Sequence, residues 1–203
     1  MHVKREDQRE NLLEAAYDLV GEVGVSGLRT RDIAERAGVN IATLHYCFEN
    51  KDALLQELYG YILREVRQDR ERCLAGVDGA SAILRAHADL RFHFLSTRPA
   101  SVRAWRAFAE GAWTSDVVRR IMRQHLSELR ERLASTIAQG RADGTVTGFP
   151  DVSDELAASM LMSLFDGMML QWVANPDGFP VQEYQNAVLS WLGIEKDDRE
   201  ESK

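Results

Sequence analysis

The sequence predicts an all-α protein: a three-helix helix-turn-helix domain at the N-terminus followed by a larger helical domain. Three observations carry that expectation. Apolar residues return at intervals of three and four along nearly the whole chain, which is the pattern of amphipathic helices and not the alternation of strands. The four prolines all fall from Pro99 onward, at expected helix boundaries or loops where a fixed φ and a missing N–H are tolerated. Between Thr30 and Lys51, two short amphipathic segments flank a glycine-centred turn.

The first helix runs from about Glu6 to Val23, with Leu12, Leu13, Ala16, Leu19, Val20 and Val23 forming one stripe that ends at Gly24; Ser26 and Gly27 extend the break. It is a supporting helix. In the next segment Ile33, Ala34 and Ala37 recur at helical spacing, and in the one after, Val39 or Ile41, Leu44 and Phe48 do the same. Gly38 can take the left-handed conformation that ends a helix, and Asn40 can cap the next one by accepting from its first turn. The outward side then offers Ile41, Ala42, Thr43, His45 and Tyr46, groups suited to base edges and phosphates.

From Lys51 to about Cys73, Leu54, Leu55, Leu58, Ile62 and Val66 mark a long connecting helix with an increasingly charged outer face. The pattern breaks at Gly76 to Gly79. Domains are expected at 1–50, the helix-turn-helix part, and 51–203, with 51–74 as the connecting helix able to bridge both. Further helices are expected near Ala80 to Leu95, Pro99 to Ala112, Ser115 to Ala142, Ser153 to Ala174 and Val181 to Leu192, with one long loop at Gly140, Gly144, Gly148 and Pro150. The charged tail from Glu195 to Lys203 reads as disordered.

At 203 residues, 45% hydrophobic and 28% charged, the chain can bury a real core. It shows no secretory leader, and charged residues interrupt its apolar runs, so a cytoplasmic protein with no membrane partner is expected. Cys47 and Cys73 are too few for a disulfide framework, and no Cys/His spacing suits zinc; neither a metal nor a cofactor is expected. No nucleophile elbow, phosphate-cradling glycine loop or recognisable carboxylate pair points to an enzyme.

A net charge of -7 is unfavourable for binding phosphates, yet from Arg29 to Lys51 the bases Arg29, Arg31, Arg36 and Lys51 face only Asp32, Glu35 and Glu49, with Lys4, Arg5 and Arg9 nearby. Such a near-neutral head should hold random DNA weakly and show a shallow salt dependence.

The segment EVGVSGLRTRDIAERAGVNIATLHYCFENKDALLQEL closely resembles the N-terminal DNA-binding domain of the TetR family of bacterial transcriptional regulators. The likeness covers about residues 9 to 58 and includes the Gly24 break, Arg31-Asp32-Ile33-Ala34, Gly38-Val39, Thr43-Leu44, Phe48 and Lys51. It implies base contacts from Arg31, Ile41, Ala42 and His45, and phosphate contacts from Thr30, Thr43, Tyr46 and Lys51. It also implies a homodimeric, ligand-responsive repressor on a double-stranded DNA operator, with a second domain that binds a small-molecule effector. The chain departs from the family at His45 and Cys47, where an aromatic followed two residues later by histidine is usual, so base preference there is not inherited. Cys47 reads more simply as a packing residue than as a redox switch.

In the second part, Trp105, Phe108, Trp113, Met122, Phe165, Met168, Met169 and Trp172 could line an apolar effector pocket, with His87, His93, His125, Asp166 and Gln171 as its few polar contacts, though each alone reads more simply as core. Asp166 stands in an otherwise apolar helix, where a carboxylate must pair, bind a ligand or cap a partner across a dimer. Leu156, Met160, Leu164, Met168 and Trp172, followed by Val188, Trp191 and Leu192, offer more apolar surface than one small domain readily hides, which suggests a two-helix dimer interface.

Overall fold

A computed structural model describes residues 2–194, apart from the side chains of residues 2–4, 65 and 96. The expectation for the tail Glu195 to Lys203, and any role for the Lys4 side chain, lie outside the described residues. Nine α-helices and no strand occur among those residues: α1 (His2–Gly27), α2 (Thr30–Arg36), α3 (Ile41–Cys47), α4 (Lys51–Leu74), α5 (Ala80–Thr97), α6 (Pro99–Gly111), α7 (Asp116–Ala142), α8 (Asp154–Ala174) and α9 (Val181–Trp191). The all-α expectation holds element by element.

Two compact units emerge. The first comprises the described residues through Gln68 together with Arg98–His125; the second comprises Asp69–Thr97 and the described residues from Leu126 onward. Helices α4 and α7 each contribute residues to both.

In the first unit the stripe of α1 is buried as its spacing predicts: Leu12, Leu13, Ala16, Leu19 and Val20 join Ile33, Leu44, Phe48, Leu54, Leu58 and Phe108 in one core. Val23 does not join it. The helix breaks at Gly24, where φ is 71°, and Val23 is left 48% exposed. Helix α6 covers α1, and Tyr17 and Ser101 share a 2.8 Å hydrogen bond between them. Pro99 opens α6, where its missing N–H has no intrahelical partner to lose.

In the second unit α5 packs on α8 and α9. Ser153 caps α8 by accepting from the Leu156 N–H at 3.2 Å. The loop leading to α8 is held by Arg141, whose guanidinium donates to the carbonyls of Gly148, Phe149 and Val152 and to Asp154. Gly148 then lies so close to the end of α9 that its N–H donates to the Leu192 carbonyl at 3.0 Å.

By length and composition α8 is the one helix, among the described residues, apolar enough to cross a membrane, with a mean hydropathy of 1.3 over its most apolar window. The interruption that does exist, Asp166, is ion-paired to Arg91 of α5 at 3.0 Å, and Arg91 also stacks on Phe165. Of the three roles open to Asp166, the structure therefore shows the ion pair within the chain. Burial pushes its carboxyl pKa up, while Arg91 pulls in the opposite direction.

Candidate nucleic-acid interface

The turn between α2 and α3 is built as its residues require. Gly38 sits at φ 66°, where a Cβ would be strained, and its N–H and that of Val39 close α2 onto the carbonyls of Glu35 and Ala34. Asn40 is extended, and its side chain accepts from the Ala42 N–H at 2.9 Å. Asn50 does the same for α4, accepting from the Ala53 N–H at 2.8 Å. The starts of α3 and α4 are thereby fixed by neighbouring residues.

Burying Ile33 and Ala34 from α2, and Leu44, Cys47 and Phe48 from α3 and its end, leaves the other faces in water. Arg31, Ile41, Ala42, His45, Tyr46 and Lys51 are all exposed, Tyr46 by 60%, while Thr30 and Thr43 are half-buried. Every residue expected to reach DNA is thus solvent-accessible in one unit. Cys47 is 3% exposed, which agrees with packing.

Sequence reading missed what holds this face still. Arg9 of α1 makes a two-pronged ion pair with Glu57 of α4, donates to the Cys47 carbonyl at 2.8 Å and stacks on Phe48 at 4.9 Å. One guanidinium therefore ties the end of α3 to both neighbouring helices. The bond to Glu57 is also the main reason the Arg9 pKa is raised. Arg5 stacks on the Tyr46 ring at 4.9 Å, restricting a side chain expected at a phosphate. Arg36 is engaged with Glu22 at 3.1 Å; this contact lowers the Glu22 pKa and takes one basic group from the reading head.

The residues expected around an effector divide between the two units. Trp105, Phe108 and Met122 pack in or against the core of the first unit, and Trp113, at the end of α6, is 85% exposed. Phe165, Asp166 and Met169 lie on α8 in the second unit. A cavity of about 830 Å³ lies within the second unit, lined by residues of α4, α5 and α7 that include none of the expected aromatic residues but do include one expected polar contact, His87. His87 is among its lining residues and meets Phe165 edge-on, 6.0 Å between ring centres.

Burial, with Arg91, Arg70 and Arg132 nearby, pushes the His87 pKa down to about 3. A histidine neutral in the folded chain but protonated when unfolded contributes stability above its ordinary pKa and loses it as pH falls from about 6.5 toward 3. Asp166, shifted upward, acts in the opposite sense, so the histidine must be isolated by substitution. His87→Gln should lose much of the decline in denaturant midpoint seen in the native chain between about pH 7.5 and about pH 5. An identical decline in both proteins would contradict it.

On α8 and α9 the interface candidates divide. Met168, Val188 and Leu192 are 2% exposed or less and belong to the core of the chain itself. Leu156, Met160 and Trp191 are 49%, 40% and 56% exposed, and with Leu164 they line an apolar groove of about 420 Å³; Trp172 is half-buried. Among the described residues no group of three or more His, Cys, Asp or Glu side chains is placed to hold a metal ion.

A packed three-helix head that presents α3 to solvent, joined to a second helical unit, defines a DNA-binding transcriptional regulator. Residues 12–58 match the family of bacterial regulatory proteins called the tetR family, and residues 80–193 match the C-terminal domain of BetI-type transcriptional repressors. The chain belongs to the TetR family, with a C-terminal domain of the BetI type.

The HTH-type transcriptional regulator BetI of Agrobacterium fabrum is 32% identical over 130 residues, which span 64% of this chain and 63% of that relative. A transcriptional regulator of Pseudomonas aeruginosa superposes with a TM-score of 0.79 at 25% identity, over 93% of this chain and 89% of the other. A regulator of Saccharomonospora viridis, solved in complex with choline, superposes with a TM-score of 0.78 at 21% identity, over 94% of this chain and all of the other, a likeness of fold.

Proposed function

We propose that this chain is a cytoplasmic, homodimeric repressor that holds a near-palindromic operator and releases it when a small molecule occupies the cavity of the second unit. The observation that carries the reading is the exposed face of α3, flanked by Arg31 and Lys51 and locked from behind by Arg9. Arg31 can pair with guanine, His45 can donate or accept at a base edge, and Ile41 and Ala42 can press on a thymine methyl. Thr30, Thr43, Tyr46 and Lys51 hold the backbone and set the register.

Dimerisation follows from the groove between α8 and α9. Leu156, Met160 and Trp191 leave apolar area in water that a second copy would cover with the same residues, an isologous contact that places two reading heads about a twofold axis. The recognition helices then enter successive major grooves roughly 34 to 36 Å apart. The cavity favours an effector over a constitutive DNA-binding role: at about 830 Å³ it falls in the range that holds small ligands. Because α4 contributes to this cavity and also begins beside the reading helix, a ligand that prefers one setting of α4 biases the head, with a coupling on the order of 1 to 3 kcal/mol.

The test is a gel-shift titration against DNA adjoining the chain's own gene, with Tyr46→Ala and Lys51→Ala alongside. Each variant should bind about tenfold more weakly, the loss of one charge-assisted or hydrogen-bonded phosphate contact. Undiminished binding by both would refute the assigned contacts.

A further inference from the structure

Three arginines of the first unit have their charge met by the protein itself: Arg9 is held by Glu57, Arg36 by Glu22 and Arg64 by Glu10. Arg5 is not. It lies on α1 with its guanidinium over the ring of Tyr46 on α3, 4.9 Å from the ring centre, and among the described residues it makes no hydrogen bond or ion pair. Its Nε is buried with no partner, which leaves the two terminal nitrogens as the donors open to a ligand.

Arg64 supplies the contrast within the same unit. It lies over Tyr61 at the same 4.9 Å, but Glu10 meets its edge at 3.4 Å. An aromatic ring satisfies the face of a guanidinium and none of its N–H donors. Arg5 therefore has its face covered and its charge uncommitted. Tyr46 beneath it is 60% exposed, so the pair stands on the water-facing side of α3. A guanidinium laid on an aromatic ring with its edge free is the arrangement in which arginine takes a phosphate through two parallel donors.

Resting on the reading of α3 as the DNA-reading helix, we propose that Arg5 is a further operator contact, its terminal nitrogens donating to a backbone phosphate, and that Tyr46 positions it by carrying the guanidinium on its ring. Tyr46 then acts twice at the interface. Its hydroxyl meets the backbone directly, and its ring fixes where the charge of Arg5 falls.

The full chain is titrated by anisotropy, across salt concentrations, against its footprinted operator and against a random duplex of equal length. Arg5→Ala should weaken both by about tenfold, because a phosphate carries no sequence, and should lower the slope of log affinity against log salt by about one. Arg5→Lys, whose ammonium can also sit on a tyrosine face, should keep the slope and most of the affinity. In a Tyr46→Phe background, which retains the ring, Arg5→Ala should still cost about tenfold; in a Tyr46→Leu background it should cost less than about threefold. A loss confined to the operator would make Arg5 a base contact and overturn the phosphate assignment, as would an unchanged salt slope in Arg5→Ala. Equal losses in the Phe and Leu backgrounds would overturn positioning by Tyr46. If Arg5→Ala is silent while Lys51→Ala still weakens binding, the role of Arg5 falls and the reading of α3 stands; a native chain that holds neither duplex refutes that reading itself.

Discussion

Arg9→Ala should weaken operator binding by about 10- to 100-fold although its side chain is turned to protein contacts. The guanidinium joins α1, α3 and α4 through Glu57, the Cys47 carbonyl and the Phe48 ring. Arg9 and Glu57 side chains are 33% and 34% exposed, so water can replace part of what is lost, and the stability cost is about 2 kcal/mol, below that of breaking a fully buried pair. The larger consequence falls on binding, because the end of α3 must then be ordered when DNA arrives, not before. Arg9→Lys separates this clamp from a plain phosphate contact. Lysine keeps the charge but cannot make the forked pair with Glu57 while also donating to Cys47. If Arg9 acts as a clamp, Arg9→Lys stays weak and the salt slope is unchanged; if it is a phosphate ligand, lysine restores affinity and removal to alanine lowers the slope by about one. Anisotropy titrations across salt concentrations read both quantities.

Gly148→Ala should be the most damaging single change in the second unit. A Cβ at that position would lie 1.9 Å from the Trp191 carbonyl oxygen and 2.6 Å from the Leu192 carbonyl carbon, backbone atoms that no rotamer change can move. Either the loop or the end of α9 must shift. That costs the Gly148 to Leu192 hydrogen bond and disturbs the carbonyls gathered by Arg141. Overpacking of this kind costs about 3 kcal/mol, or a fall in melting temperature of about 6 to 12 °C for a chain of this size. Thermal melting followed by circular dichroism checks it, and a melting temperature within about 2 °C of the native value would contradict it. Because Trp191 and Phe149 border the α8 and α9 groove, the same variant should also weaken self-association.

These two residues illustrate what could be read in the sequence. The turn was legible because its causes are local: Gly38, Asn40 and the flanking apolar spacing lie within a few residues, as do the breaks at Gly24 and at Gly76 to Gly79. Arg9 was not. Its partners lie 38 to 48 residues away, and a basic residue beside a reading helix looks like a phosphate ligand until Glu57 is seen next to it. Gly148 could be read as a loop glycine, but not as the point where two backbones meet.

Aromatic and methionine side chains posed a different difficulty. Periodicity says that Phe108 and Met168 face inward, and both do, but it cannot separate a filled core from a cavity wall. The cavity found in the second unit is lined by aliphatic and charged residues of α4, α5 and α7, whose amphipathic spacing resembles that of any surface helix. Asp166 stands out in the sequence as a charge in an apolar helix that needs a partner, while its half-buried position and the identity of that partner, Arg91 on another helix, required the fold.

The proposed function makes operator recognition depend on two reading heads held at a fixed separation by one dimer. The most direct measurement is the affinity for the operator identified by footprinting, compared with the same operator carrying about five extra base pairs, half a helical turn, between its half-sites. The insertion should rotate one half-site to the opposite face of the duplex and reduce binding to that of a single half-site. Equal affinity for both spacings would contradict a dimer that reads its operator in this way.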